Sequence, residues 1–253
     1  TRSILAGLVQ SKSHGILSID DKVKIHDLAL VGEIERAGLV YYLENPEYLH
    51  ELPAESGLSV ICRTSDAPEV RALGLLAICS NTPASTFFKL YNAIASIRIS
   101  EFLMPTVVDP TATVHPSAII SRLGVEIGAG VSVGAQAVVL ERVHIEADSR
   151  IREGAVLGSQ GFEYKMDLDG NFFQVQHDGF VIVGSGCEIG SNSVVGQGFW
   201  RRPTMIGAGS KLDHNVSIAH GTSLGARNLI AAGSTLSGSC ITGDEVWIGP
   251  GVT

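Results

Sequence analysis

The chain is poor in most features that announce a function. Aromatic residues make up 6% of it and charged residues 17%, and its four cysteines, Cys62, Cys79, Cys187 and Cys240, form no Cys-x-x-Cys pair. Zinc-ribbon and dithiol redox chemistry are therefore not signalled, and reduced thiols of a cytoplasmic protein are expected. Basic residues are in the minority, 18 against 26 acidic, for a net charge of −8. Nucleic acid is excluded as the main partner, because phosphate binding needs a basic stripe. No apolar run approaches the roughly 20 residues of a membrane span. Proline is sparse, 9 residues, and the 29 glycines follow no Gly-x-y period, so collagen is excluded. A chain beginning at Thr1, without a basic-apolar leader, and stopping at Thr253 inside a repeat suggests trimmed ends.

What is abundant is order of an unusual period. From Ile127 an aliphatic residue recurs every sixth position, through Val133, Val139, Ile145, Ile151 and Leu157. The beat resumes at Val183, Ile189 and Val195, and again at Ile206, Leu212, Ile218, Leu224, Ile230 and Leu236, then Thr242 and Ile248. Thr242 is the one polar entry, and an earlier run of Val108, Val114 and Ile120 stands one residue out of step. Glycine often follows the aliphatic residue, and a small or β-branched residue such as Ala137, Ser149, Ser193 or Ser234 comes four after it. Neither a strand (period 2) nor a helix (period 3.6) predicts six. A short strand and a tight corner do, three sides making one 18-residue turn of a solenoid. This is the pattern of the hexapeptide family, and the resemblance implies a left-handed parallel β-helix.

Two segments break the beat. Residues 158–182 form an aromatic-rich excursion, and about five extra residues around Phe199-Trp200-Arg201-Arg202-Pro203 bulge between Val195 and Ile206. Loops extruded from a rigid solenoid are the places to look for binding surfaces. Before Pro105 the beat is absent. A helix over 3–11, strands over 38–43, 58–62 and 73–78, and a helix over 85–96 predict a small α/β domain. The fold class is thus mainly β, with an α/β domain over 1–104 and a β-helix over 105–253.

Further residues carry a closer resemblance. Tyr42, Asn45, Pro46 and Tyr48 match an aromatic-x-x-Asn-Pro-x-Tyr motif, and Asn81 to Leu90 echo a second motif ending in Lys-Leu. Gly161-Phe162 with Tyr164, and the segment Leu212-Asp213-His214-Asn215-Val216-Ser217-Ile218-Ala219-His220, follow in register. In these the chain resembles the UDP-3-O-acylglucosamine N-acyltransferases of lipid A synthesis. The chain departs from the family at Gly196-Gln197-Gly198, where Asp-Arg-Gly is usual, and at Gln160, where the excursion has Asp.

The resemblance implies that Tyr42, Asn45 and Tyr48 bind uracil, that Phe162, Asp213 and His214 contribute to substrate binding, and that His220 is the general base. Gly238, one 18-residue turn after His220, is expected beside it as a backbone oxyanion donor. It also implies no metal or resident cofactor, a UDP-linked amino sugar as acceptor, acyl carrier protein as the phosphopantetheine-borne donor, and a homotrimer in the cytoplasm. Two readings of other kinds stand beside it. One is a coenzyme A-dependent N-acetyltransferase of another nucleotide-linked sugar; the other is a non-catalytic solenoid that only binds such a ligand. A zinc enzyme on this fold would need three converging histidines, and only His214 and His220 stand at corners.

Overall fold

The structure is a computed structural model that describes residues 2–10, 14–30, 38–52, 57–101, 103–200 and 202–253. The chain divides into two compact units, residues 1–98 with 162–175, and residues 99–161 with 176–253.

The first unit carries α1 (Arg2–Gln10), β1 (Ile16–Ile19), β2 (Asp27–Leu28), β3 (Leu39–Tyr42), β4 (Ser59–Cys62), α2 (Ala67–Ala72), β5 (Leu76–Ser80) and α3 (Pro83–Glu101). The sheet order is β1-β5-β4-β3-β2, parallel except for β1. Strands β3 and β4 are near-continuous apolar runs because this parallel sheet is covered; Val40, Tyr41, Val60 and Ile61 are at most 1% exposed. The apolar stretch over 73–78 divides in two. Leu73 closes α2 and Gly74, at φ +79°, turns the chain, so the strand begins only at Leu76. The short β1 and β2 carry too little alternation to be read in advance, and Ser11 at the end of the expected first helix lies outside the described residues.

The aromatic excursion belongs to this unit, whereas the sequence boundary at 104/105 grouped it with the solenoid. Tyr164–Met166 pairs antiparallel with Phe172–Gln174 as a hairpin, and α3 supplies its anchors. Asn92 Nδ2 donates to the Gln174 carbonyl at 2.8 Å, Lys89 Nζ lies 3.5 Å from Asp167, and Lys165 Nζ sits 4.8 Å over the Phe88 ring.

The second unit is a parallel β-helix. Its three faces are columns of two- to four-residue strands, and each aliphatic residue pairs with its counterpart one coil on. Ile127, Ile145, Val183, Ile206 and Leu224 form one column; Val133, Ile151, Ile189, Leu212, Ile230 and Ile248 the second; Val139, Leu157, Val195, Ile218 and Leu236 the third. Their side chains fill one continuous core. Both interruptions leave the columns in register, since Ile145 pairs with Val183 and Val183 with Ile206. The earlier run pairs as Val108 with Ile127, Val114 with Val133 and Ile120 with Val139. Its extra residue is absorbed at the corner before Gly124, which has φ +71°.

Corners set the period. In the regular coils the third residue after the repeating position takes a left-handed φ, as at Gln136, Asp148, Asn192, Asn215, Arg227 and Glu245. The glycine next to the aliphatic residue is demanded by contact instead: a Cβ on Gly207 would collide with the Gly225 carbonyl of the next coil. Buried hydroxyls then tie coil to coil. Ser193 Oγ donates to the Asp213 carbonyl at 2.7 Å and accepts from Val216 N–H at 3.0 Å, and Ser149 does the same with Gly184 and Cys187. Thr242 breaks the aliphatic column for the same reason, its Oγ1 accepting from Asn228 Nδ2 at 2.7 Å and from Gly225 N–H at 3.2 Å. Among the described residues no helix is long and apolar enough to cross a membrane.

One polar link in the first unit is open to test. Asp20 takes three hydrogen bonds from Arg71, at 2.7, 3.0 and 3.2 Å, and one from Ala77 N–H at 2.9 Å, clamping α2 and β5 to the end of β1. The Arg71 bonds, then the Ala77 amide, outweigh burial and hold the Asp20 carboxyl below its usual 3.8. A lowered pKa stabilises the fold above the unfolded value and is lost as pH falls through the folded one. Asp20→Asn is therefore expected to cost about 1 kcal/mol at neutral pH, discounted for the exposed Arg71. The gap between variant and parent melting curves should close below about pH 4.

Candidate active site

Two sites emerge, one in each unit. In the first, β3 ends at Tyr42 and the chain turns through Asn45 into a 3-10 helix, Pro46–Glu51. Pro46 suits the first helical position, and Asn45 caps the turn, its Oδ1 accepting from Glu47 N–H at 3.1 Å. Asn45 Nδ2 donates to Glu47 Oε2 at 3.0 Å, leaving one of its two amide hydrogens for a ligand. Glu44 is fixed from outside, accepting from Arg63 Nη2 at 2.6 Å and from Ala84 N–H at 2.9 Å at the start of α3. The result is a 420 Å³ pocket off the carboxyl end of β3, lined by Ala29, Tyr42, Glu44, Asn45, Tyr48 and Leu52 among others. All three residues assigned to uracil binding are in its wall. Tyr42 packs on Phe87 at 4.8 Å between ring centres and on Phe88 at 5.6 Å, and burial pushes its phenol pKa up. Tyr48 is half exposed, so pocket and solvent share its ring. Phe162 stands on the hairpin 93% exposed, its ring 5.1 Å from Tyr164.

In the second unit His220 follows Ile218 at the corner leading off the third face. Gly238 lies on the next coil against it: a Cβ there would be 2.5 Å from both Cε1 and Nε2 of the imidazole. Two rings that sequence reasoning did not join to His220 complete the cluster. His177 stands 5.0 Å from the His220 ring with planes 71° apart, and Phe199 stands 5.5 Å from it at 74°. His177 and Phe199 also meet, at 5.0 Å. Within the bulge Trp200 is buried and Phe199 half-buried, while Arg202 is exposed. Arg202 N–H bonds the Phe199 carbonyl at 3.0 Å, and Trp200, at φ +56°, is 4% exposed. Arg201 lies outside the described residues.

His177 itself is fully buried, and its backbone is held on three sides. Its N–H donates to Gln160 Oε1 at 2.9 Å; its carbonyl accepts from Arg142 Nη2 at 3.0 Å and from Gln160 Nε2 at 3.3 Å. Gln160 Nε2 also reaches Gln197 Oε1 at 2.5 Å, so two of the positions that depart from the resembled motifs meet as a neutral amide pair. The sequence signal for His177 was the polar stretch Gln176-His177-Asp178-Gly179 between aromatic and aliphatic runs, which has no period to place it.

Asp213 and His214 sit at the preceding corner, leading off a different face, and the chain does not bring them to His220. Asp213 Oδ1 accepts from His214 N–H at 2.8 Å and lies 3.6 Å from His214 Nε2. Both line an open groove of 390 Å³ with Arg152, Glu188, Lys211 and Trp247. Among the described residues no group of three histidine, cysteine or acidic side chains is placed to hold a metal ion. Burial pushes the Cys62 thiol up to about 12, so it is no nucleophile. Arg227 pairs with Glu245 at 2.8 Å.

The UDP-3-O-acylglucosamine N-acyltransferase of Bordetella pertussis is 30% identical over 97% of this chain and 77% of its own length. That of Polynucleobacter asymbioticus is 29% identical over 74% of this chain and 63% of its own. No family model matches. Among solved structures, the acetyltransferase domain of PglB from Neisseria gonorrhoeae, in complex with acetyl coenzyme A, aligns over 95% of this chain and 90% of its own at 17% identity and TM-score 0.43. The UDP-N-acetylglucosamine O-acyltransferase of Moraxella catarrhalis aligns over 58% of this chain and 56% of its own at 23% and 0.35.

Since a methyl group on residue 238 would occupy the space of the His220 ring, Gly238→Ala is expected to swing the imidazole outward. His220 is only half-buried, so the melting temperature should fall by no more than a few degrees. Histidine ring NMR signals would report it, with those of both His220 and His177 shifted and the remaining histidines in place.

Proposed function

This chain belongs to the UDP-3-O-acylglucosamine N-acyltransferase family of acyltransferases, and from that premise we propose that it transfers a 3-hydroxyacyl group from acyl carrier protein to the amine of a UDP-linked glucosamine. The observation that carries the reading is the apposition of His220 and Gly238 on successive coils. An imidazole titrates near pH 6.5 and is suited to taking a proton from an attacking amine. The amine nitrogen adds to the thioester carbon, His220 receives the ammonium proton, and the Gly238 N–H faces the oxyanion that forms. As the C–S bond breaks and the amide closes, the imidazolium returns the proton to the leaving thiolate. Glycine serves at 238 twice, by leaving room for the ring and by exposing its amide.

The nucleotide end is assigned to the pocket of the first unit. Tyr42 and Tyr48 offer ring faces to a uracil, and the Asn45 amide offers a hydrogen bond to its edge. Phe162, on the hairpin, and Asp213 with His214, in the solenoid groove, are proposed as further substrate contacts. Because the His214 corner is remote from that of His220 within one chain, their joint action would require a second copy. A homotrimer supplies one, and is proposed here with acyl carrier protein as donor partner and the cytoplasm as location.

A mass-spectrometric transfer assay tests the reading by offering UDP-3-O-acylglucosamine together with 3-hydroxyacyl carrier protein and acetyl coenzyme A. N-(3-hydroxyacyl) product is expected, falling by roughly 10²–10⁴-fold in His220→Ala; N-acetyl product alone would replace the donor assignment. Asn45→Ala should raise KM for the sugar nucleotide about tenfold at little cost in kcat, as loss of uniform binding does.

A further inference from the structure

The buried imidazole of His177 has no part in the reaction as written, yet Gly161, Gln160, Arg142 and Phe199 all close on this residue. Gly161 clears its Nε2 edge, since any Cβ at 161 would fall inside 3.0 Å of the ring. Gln160 and Arg142 fix its backbone. Phe199 touches both His177 and His220, so the three rings hold one another in place.

We propose that His177 is a positioning residue for His220, the two imidazoles forming a pair that binds one proton at a time. The proposal rests on the reading of His220 as the general base for its catalytic meaning, but not for its direct test. At 5.0 Å between ring centres, in a site where one ring is fully buried, two imidazolium ions repel with little water between them. The surroundings favour His177 as the neutral member. Arg142, 3% exposed, puts a guanidinium on the His177 and Gly179 carbonyls, and the Arg202 backbone packs on Gly179. Asp178, next in the chain and 8% exposed, is the acidic group nearest in sequence. On the other side His220 meets Gly238, with Ser237 and Ser239 flanking it, and its own neighbour Gly221 donates its N–H to Thr204 Oγ1 at 2.9 Å; none of these is charged. A neutral His177 fixes the plane of the His220 ring and stands ready beside it when it takes the amine's proton. Protonation of His177 in acid withdraws that support and disfavours the charge His220 must accept.

The test is a histidine ring NMR titration of the full chain without substrates, from about pH 5 to 9, on the unaltered protein, His177→Phe and His220→Ala. The expected result is mutual dependence: His220 moves in two steps in the unaltered protein and in one in His177→Phe, and the His177 curve simplifies in His220→Ala. The second variant changes only a half-exposed ring, so it reads the coupling even if His177→Phe does not fold. In acyl transfer, His177→Phe should lower kcat about tenfold and move the acid limb of the pH profile, with KM for the sugar nucleotide within twofold of the parent. Titration curves for each histidine that are the same with and without the other would overturn the proposal. Coupled titration without any acyl transfer by the unaltered protein would instead uphold the pair and remove the functional reading.

Discussion

Everything in the second unit depends on one coil's backbone pairing in parallel register with the next. Strands only two to four residues long make few bonds each, and they persist because successive coils repeat the same pairing at about 4.8 Å. The left-handed corner residue, the close glycine and the buried hydroxyl that bonds the next coil's carbonyl and amide all serve that register. Ser149 and Ser193 show the hydroxyl in this role, and Asn228 with Thr242 shows the same function filled by an amide. A solenoid so constrained can extrude residues at a corner without losing the columns. Both interruptions do so, with Val183 and Ile206 falling back into line.

The chemistry collects where that happens. His177 comes from the segment that returns from the excursion, Phe199 from the bulge five residues before the columns resume, and His220 and Gly238 from corners of regular coils. Each element taken singly is ordinary. Their convergence gives an imidazole whose ring plane is set by an aromatic neighbour, a second imidazole and the empty space over a glycine. Under the proposed reading, such enforced orientation suits a group that takes a proton from one substrate and gives it to another.

What could be read from the sequence divides along the same line. The hexapeptide period names the residues of all three columns, and one-coil spacing puts Gly238 against His220, because stacking is regular there. The Asn-Pro turn likewise places Tyr42, Asn45 and Tyr48 in one pocket wall, since cap and turn chemistry are local. The rest depends on contacts without a period. Nothing local says that Phe162–Val175 folds onto α3 through Lys89, Asn92 and Phe88, or that the basic bulge buries Trp200 instead of exposing it. His177 is the sharpest case, as its partners Gln160, Arg142 and Phe199 come from three separate turns. The left-handed corner position was not legible beyond the expectation of a tight corner, because Gln136, Arg227 and Glu245 occupy it alongside glycine, asparagine and aspartate.

The central claim is that the His220 imidazole, seated over Gly238, carries the proton in acyl transfer. Chemical rescue tests it most directly: single-turnover transfer by His220→Gly, with and without added imidazole. Transfer is expected to be lost in the variant and to return in proportion to imidazole concentration, with sugar-nucleotide binding unchanged. Transfer by His220→Gly at the parent rate without imidazole would contradict that claim.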